Sequence, residues 1–226
     1  MSLRPAAAVL ALATALSAVA AAAPAGAPAD LGGRIAAQGL PSGVPACSGC
    51  HGADGGGSAP LQAPRLAGLD AGYLADQLDR FASGARKNDT MAGVAKALTP
   101  DQRRAVAGYF AALPVPASPP AQAQGDLARG RALAERGDWA VKAPACAACH
   151  GPQGLGVGAT TPPLAGQSGA YLSAQLTAFR SGARRSDTLG LMNGIAARLS
   201  PADLQAAAAY YASLPARPAA SSGAAR

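Results

Sequence analysis

Two pentapeptides constrain this chain more than any other feature: Cys47-Ser48-Gly49-Cys50-His51 and Cys146-Ala147-Ala148-Cys149-His150. Together they use all four cysteines and both histidines. A C-x-x-C-H run is the attachment signature of c-type haem. Two thiols three positions apart can each form a thioether to the porphyrin, and the next residue then holds an imidazole under the iron. A thioredoxin-like C-x-x-C would sit in a βαβ setting, and the sequence has none. A zinc site would want paired cysteines a short loop apart. Here the pairs lie in different halves of the chain, each with its own histidine. A disulfide would explain the thiols but not the histidine after each pair. The expectation is two covalently bound haem c groups. Cys47, Cys50, Cys146 and Cys149 attach them, and His51 and His150 ligate the irons.

The pentapeptides belong to a tandem repeat, residues 30–113 and 126–214. Each copy opens on a short helical segment and enters its motif through Pro-Ala, at Pro45-Ala46 and Pro144-Ala145. A Gly-rich loop follows, of the kind that lets backbone approach a flat ring. It ends at Pro64-Arg65-Leu66-Ala67-Gly68 or Pro162-Pro163-Leu164-Ala165-Gly166. Next comes a helix signal, Tyr73-Leu74-x-x-Gln77-Leu78-x-x-Phe81, which Tyr171 to Phe179 repeats. Gly84 and Gly182 stand where left-handed caps would end these helices. A last helix starts at Thr99-Pro100-Asp101-Gln102 and at Ser200-Pro201-Ala202-Asp203. Strand signals are absent, so the fold class is all-α, two tandem domains each wrapped around one haem.

Aromatic residues make up only 4% of the chain. Domains this small would struggle to fill a core with such side chains, and a buried haem supplies the missing apolar bulk. Residues 1–29 read as a signal peptide: Arg4, then an Ala-rich apolar run from Val9 to Ala23, then small residues. Cleavage falls after Ala23, Ala27 or Ala29; the alternative is an uncleaved, weakly hydrophobic anchor. Export places the protein in the periplasm, in keeping with covalent haem assembly outside the bacterial cytoplasm. Residues 114–125 form a Pro-rich linker, and 215–226 a small-residue tail expected to be disordered.

With no third histidine, the second axial ligand of each iron is expected to be methionine, which raises the reduction potential. Met91 and Met192 are the only methionines besides Met1, and each lies nine residues before the proline of its last helix, Pro100 or Pro201. Copy two carries an extra Leu189-Gly190-Leu191 just before its methionine. The Pro64 and Pro162 carbonyls either accept from the ligating histidines or belong to prolines that shape a turn. Arg86 and Arg184 either pair with haem propionates or, the favoured reading, complement a helix C-terminus. Trp139, unmatched in copy one, either walls the second haem or packs.

The formal charge is +7, and four ionised propionates would offset about −4 of it. Lys and Arg are scattered without aromatic interleaving, so no nucleic-acid partner is expected. On its Cys-x-x-Cys-His-Gly, Pro-x-Leu-Ala-Gly, Tyr-Leu-x-x-Gln-Leu and methionine positions, residues 30–214 resemble the dihaem cytochrome c4 family, tandem class I cytochromes c. The resemblance implies two cytochrome c folds packed with pseudo-twofold symmetry, their propionates approaching at the interface. It also implies Pro64 and Pro162 carbonyls bonded to the histidines. The implied function is a periplasmic carrier, soluble or loosely membrane-associated. It would take single electrons from a quinol-cytochrome c reductase-type donor to a terminal oxidase. The alternative is the dihaem electron-accepting subunit of a periplasmic dehydrogenase. A haem enzyme, a peroxidase or a thiosulfate-oxidising cytochrome, is disfavoured because no spare histidine or cysteine is left for catalysis.

Overall fold

The structure, a computed structural model, describes residues 28–116, 125–185 and 189–217. The first copy forms α1 (Pro28–Gln38), α2 (Ser48–His51), α3 (Ala71–Ser83), α4 (Asp89–Ala97) and α5 (Pro100–Ala112). The second forms α6 (Leu127–Arg136), α7 (Ala147–His150), α8 (Gly169–Ser181), α9 (Leu191–Arg198) and α10 (Pro201–Ser213). Among the described residues there are isolated bridges but no strand, so the chain is all-α. Most of the expected signal peptide (1–29), linker (114–125) and tail (215–226) falls outside the described residues, at 1–27, 117–124 and 218–226.

Local chemistry sets the helix ends. Asp70 and Ser168 accept from the backbone N–H groups of Tyr73 and Tyr171, starting α3 and α8. Thr99 with Gln102 and Ser200 with Asp203 form reciprocal capping boxes, each with proline at the helix start. Such caps are worth about 1 kcal/mol each. Gly84 (φ 81°, ψ 2°) and Gly182 (φ 75°, ψ 6°) end α3 and α8 in the left-handed conformation.

Packing repeats as the sequence does. α1 lies on α5 and α6 on α10, α3 and α8 cover the same last helices, and α4 and α9 pack on α3 and α8. The α1–α5 and α6–α10 crossings bring backbones together. A Cβ at Gly32 or Gly130 would stand 2.1 Å from the Ala105 or Ala206 carbonyl oxygen. The first core centres on Ile35, Leu74, Leu98, Val106 and Phe110. The second divides into one cluster around Leu133, Phe179 and Leu204 and another around Leu172 and Tyr211.

The methionines sit in the first turns of two short helices, α4 and α9, that the sequence reading did not mark. The pattern was present: Met91, Val94, Ala95 and Leu98 fall at i, i+3, i+4, i+7, as do Met192, Ile195, Ala196 and Leu199. Asn88 caps α4 by accepting from Met91 N–H. α9 starts behind Gly190 (φ 65°, ψ 21°) without a side-chain cap.

Candidate functional site

In both copies the C-x-x-C-H run folds as one helical turn, with the His51 and His150 N–H groups bonded to the Cys47 and Cys146 carbonyls at 2.9 Å. This puts Cys47, Cys50 and His51, and Cys146, Cys149 and His150, at i, i+3 and i+4 on one side of the turn. All four cysteines are free; Cys47 and Cys146 are half-buried, Cys50 and Cys149 exposed. Both histidines are buried. Among the described residues no group of three His, Cys, Asp or Glu could hold a metal ion, so a zinc-type cluster is not formed there.

Each imidazole is fixed from behind. His51 Nδ1 donates to the Pro64 carbonyl at 3.0 Å, and His150 Nδ1 to Pro162 at 2.9 Å. A carbonyl only accepts, so Nδ1 carries the proton and Nε2 keeps a lone pair for a metal. Burial pushes both imidazole pKa values down, while the proline carbonyl works the other way. The neutral ligand form is therefore favoured.

Glycines make this support possible. The Gly-rich loop approaches the backbone of the proline segment, where the sequence suggested approach to a ring. A Cβ on Gly57 (φ 89°) would stand 2.6 Å from Arg65 N, and one on Gly156 (φ 83°) 2.6 Å from Pro163 N. Both glycines donate to the carbonyl of their own histidine, Gly57 to His51 at 2.8 Å and Gly156 to His150 at 2.7 Å. Met91 and Met192 are half-buried on α4 and α9, which pack on α3 and α8, with Met192 against the Phe179 cluster.

Between the two copies lies a symmetric network that the sequence reading missed. Arg86 donates to Gln77 Oε1 (3.0 Å), Tyr171 Oη (2.7 Å) and Gln175 Oε1 (2.8 Å). Arg184 donates to Gln175 Oε1 (2.8 Å), Tyr73 Oη (3.4 Å) and Gln77 Oε1 (2.8 Å). Each guanidinium also stacks over its own Phe81 or Phe179 ring, at 4.4 and 4.6 Å. An antiparallel Arg86–Arg184 bridge and an Arg185 N–H to Ala85 carbonyl bond of 3.2 Å complete the contact. The favoured expectation for Arg86 and Arg184, a cation at a helix end, is thus corrected: both are buried and reach across the interface.

A second cross-contact is asymmetric. Arg65 N–H donates to Gln167 Oε1 (2.8 Å) and Gln167 Nε2 donates back to the Arg65 carbonyl (3.0 Å). The Arg65 guanidinium is buried, and burial pulls its pKa down to about 10. Its Nη1 and Nη2 reach the Ala67 and Ala165 carbonyls, but Nε has no partner.

Each copy therefore offers two free thiols, an imidazole with Nε2 available and a half-buried methionine. That donor set fits a covalently attached haem. Arg65 and Arg86 have no carboxylate partner among the described residues. Buried guanidiniums call for an anion, and haem propionates are anions of the right shape. Trp139 does not pack against the rest of the chain: 73% of it is exposed.

Comparison with known proteins shows the family. The family description "Cytochrome c" matches residues 36–114 and again 127–215. A thiosulfate dehydrogenase electron acceptor of Stutzerimonas stutzeri (strain A1501) is 48% identical over 170 residues, 75% of this chain and 79% of that protein. A cytochrome c4 of Pseudomonas aeruginosa is 38% identical over 171 residues, 74% of this chain and 83% of that one. Among solved structures, a thiosulfate dehydrogenase from Marichromatium purpuratum superimposes with a TM-score of 0.80 at 47% identity. It covers 86% of this chain, while this chain spans 42% of that one.

Proposed function

The chain belongs to the dihaem cytochrome c4 family of cytochromes c, and on that premise we propose that it is a periplasmic one-electron carrier whose donor is a thiosulfate-oxidising dehydrogenase. It carries two covalently bound haem c groups and serves as a dihaem electron carrier. When bound, haem iron supplies one-electron chemistry between Fe(III) and Fe(II).

The chain's own residues hold that chemistry in place. Cys47 with Cys50, and Cys146 with Cys149, would form the thioether bonds. His51 with Met91, and His150 with Met192, would ligate the two irons. The Pro64 and Pro162 carbonyls fix the imidazole planes and tautomers. Arg65, Arg86 and Arg184 would be placed to meet haem propionates at the interface. The observation that carries the reading is that both copies repeat one closed donor set. Neither has a spare histidine or cysteine beside it. Such a protein transfers electrons and leaves the bond-making to its partner.

The choice of donor rests on similarity. Identity to a thiosulfate dehydrogenase electron acceptor is higher than to cytochromes c4, which favours the dehydrogenase-subunit reading over a quinol-cytochrome c reductase-type donor. The acceptor is then a terminal oxidase or another respiratory component. Among the described residues no helix is long and apolar enough to cross a membrane.

Stopped-flow absorption of the oxidised holoprotein tests the proposal. Thiosulfate alone should leave it oxidised, and thiosulfate with a catalytic amount of thiosulfate dehydrogenase should reduce both haems. Steady thiosulfate turnover by the chain alone would overturn the carrier reading. No reduction in the presence of the enzyme would overturn the donor.

A further inference from the structure

Trp139 is the single tryptophan of the chain, and the turn that bears it is built differently from its counterpart. Gly39 and Gly137 occupy equivalent left-handed positions, their N–H groups bonded to the Ile35 and Leu133 carbonyls. Copy one then closes a Leu40–Val44 bridge over Pro41-Ser42-Gly43. Copy two closes Asp138–Ala143 over one residue more, Trp139-Ala140-Val141-Lys142. The longer turn is fastened down. Arg129 binds Asp138 and Asp203, each at 2.6 Å, and Asp138 also accepts from Ala140 N–H at 3.1 Å. The corresponding residues of copy one are Leu31, Gln102 and Leu40. An exposed indole on a pinned turn is held toward solvent, not left there by disorder.

The surroundings continue the pattern. Arg198, at the end of α9, donates to the Lys142 carbonyl at 3.3 Å and ties that helix to the turn. Leu191 lies two turns earlier on the same face of α9, about 10 Å away along the axis. Leu189 and Leu191 are 81% and 57% exposed. Copy one has Thr90, Ala97 and Gly43 where copy two has Leu191, Arg198 and Lys142. The exposed cations Arg136, Lys142 and Arg198 have no carboxylate partner among the described residues. The nearby acids are taken: Asp138 by Arg129 and Glu135 by Arg131. The turn runs on through Ala143 directly to Cys146.

We infer that the Trp139 face of the second domain is the docking surface for a redox protein with an acidic rim and an apolar centre. The inference rests on the carrier reading above and adds the place and the charge of the contact. Tryptophan is a preferred anchor at interface centres. A cationic rim steers and orients an acidic partner. The equivalent face of the first domain, with Gly43, Thr90 and Ala97, lacks both, so the partner engages the second domain, beside its Cys146–His150 turn.

The test compares second-order rates of holoprotein reduction by thiosulfate dehydrogenase in thiosulfate, with ascorbate as a small-molecule control. Trp139→Ala should slow the protein reaction about tenfold or more, and Lys142→Glu with Arg198→Glu should slow it and reverse its salt dependence. Ascorbate rates, visible spectra and melting midpoints should match wild type. Ser42→Glu with Ala97→Glu on the first domain should leave the protein reaction within about twofold. Wild-type rates in both second-domain variants, or equal slowing by the first-domain pair, would overturn the inference. If the dehydrogenase fails to reduce wild type, the donor reading falls. The face is then judged with a flavodoxin, a small acidic electron donor, on the same variants and the same criteria.

Discussion

His51 and His150 each lean on a carbonyl that can only accept, and this single bond decides which ring nitrogen is left for a metal. The ligand types were legible because haem chemistry demands them at fixed spacing. The proline support was legible only as one of two alternatives, since a turn would use the same residue. Trp139 was visible as an unmatched residue, but its exposure was not. That exposure depends on Arg129 binding a carboxylate nine residues away and another seventy-four away. The same triad carries a pH prediction. The Arg129 guanidinium holds the Asp138 and Asp203 carboxyls below the usual carboxylate range. Their contribution is therefore present above the unfolded carboxylate pKa, about 4, and is lost as pH falls through the depressed native values. Near-ultraviolet dichroism of Trp139 should be constant from neutral pH down to about 4 and change below it. Asp138→Asn should show that altered signal already at neutral pH.

The helices and their ends were readable from caps, prolines and glycines, because those signals are local. α4 and α9 were harder to read although their apolar spacing is helical, since each spans only about two turns and a short run carries a weak period. The close crossings of α1 on α5 and α6 on α10 could not be read at all: a glycine within a helix does not announce which carbonyl it touches. Gly130→Ala would drive a methyl against the Ala206 carbonyl and Tyr210 Cβ. Overpacking of this kind costs about 1–3 kcal/mol, so the melting midpoint should fall by roughly 5–15 °C. Gly194→Ala, in α9, meets open space and should leave stability unchanged or raise it by up to about 1 kcal/mol. Thermal melts of the two variants check the contrast.

At the scale of the whole molecule, the repeat told of two similar domains but not how they meet. The Arg86–Gln175–Tyr171 and Arg184–Gln77–Tyr73 contacts pair residues about a hundred positions apart, and no local pattern marks them. The Arg65–Gln167 contact has no counterpart in the repeat, because Pro163 and Leu69 stand at the equivalent positions. The interface makes one body of two similar centres, and the Trp139 face makes their surroundings unequal. The account stands on each copy carrying one covalently attached haem with histidine and methionine ligands. A redox titration of the purified protein, with haem counted as the pyridine haemochrome, tests this most directly. The account predicts two haem c groups per chain, each titrating with one electron at a positive potential, as methionine ligation requires. One haem per chain, or two at negative potentials, would contradict it.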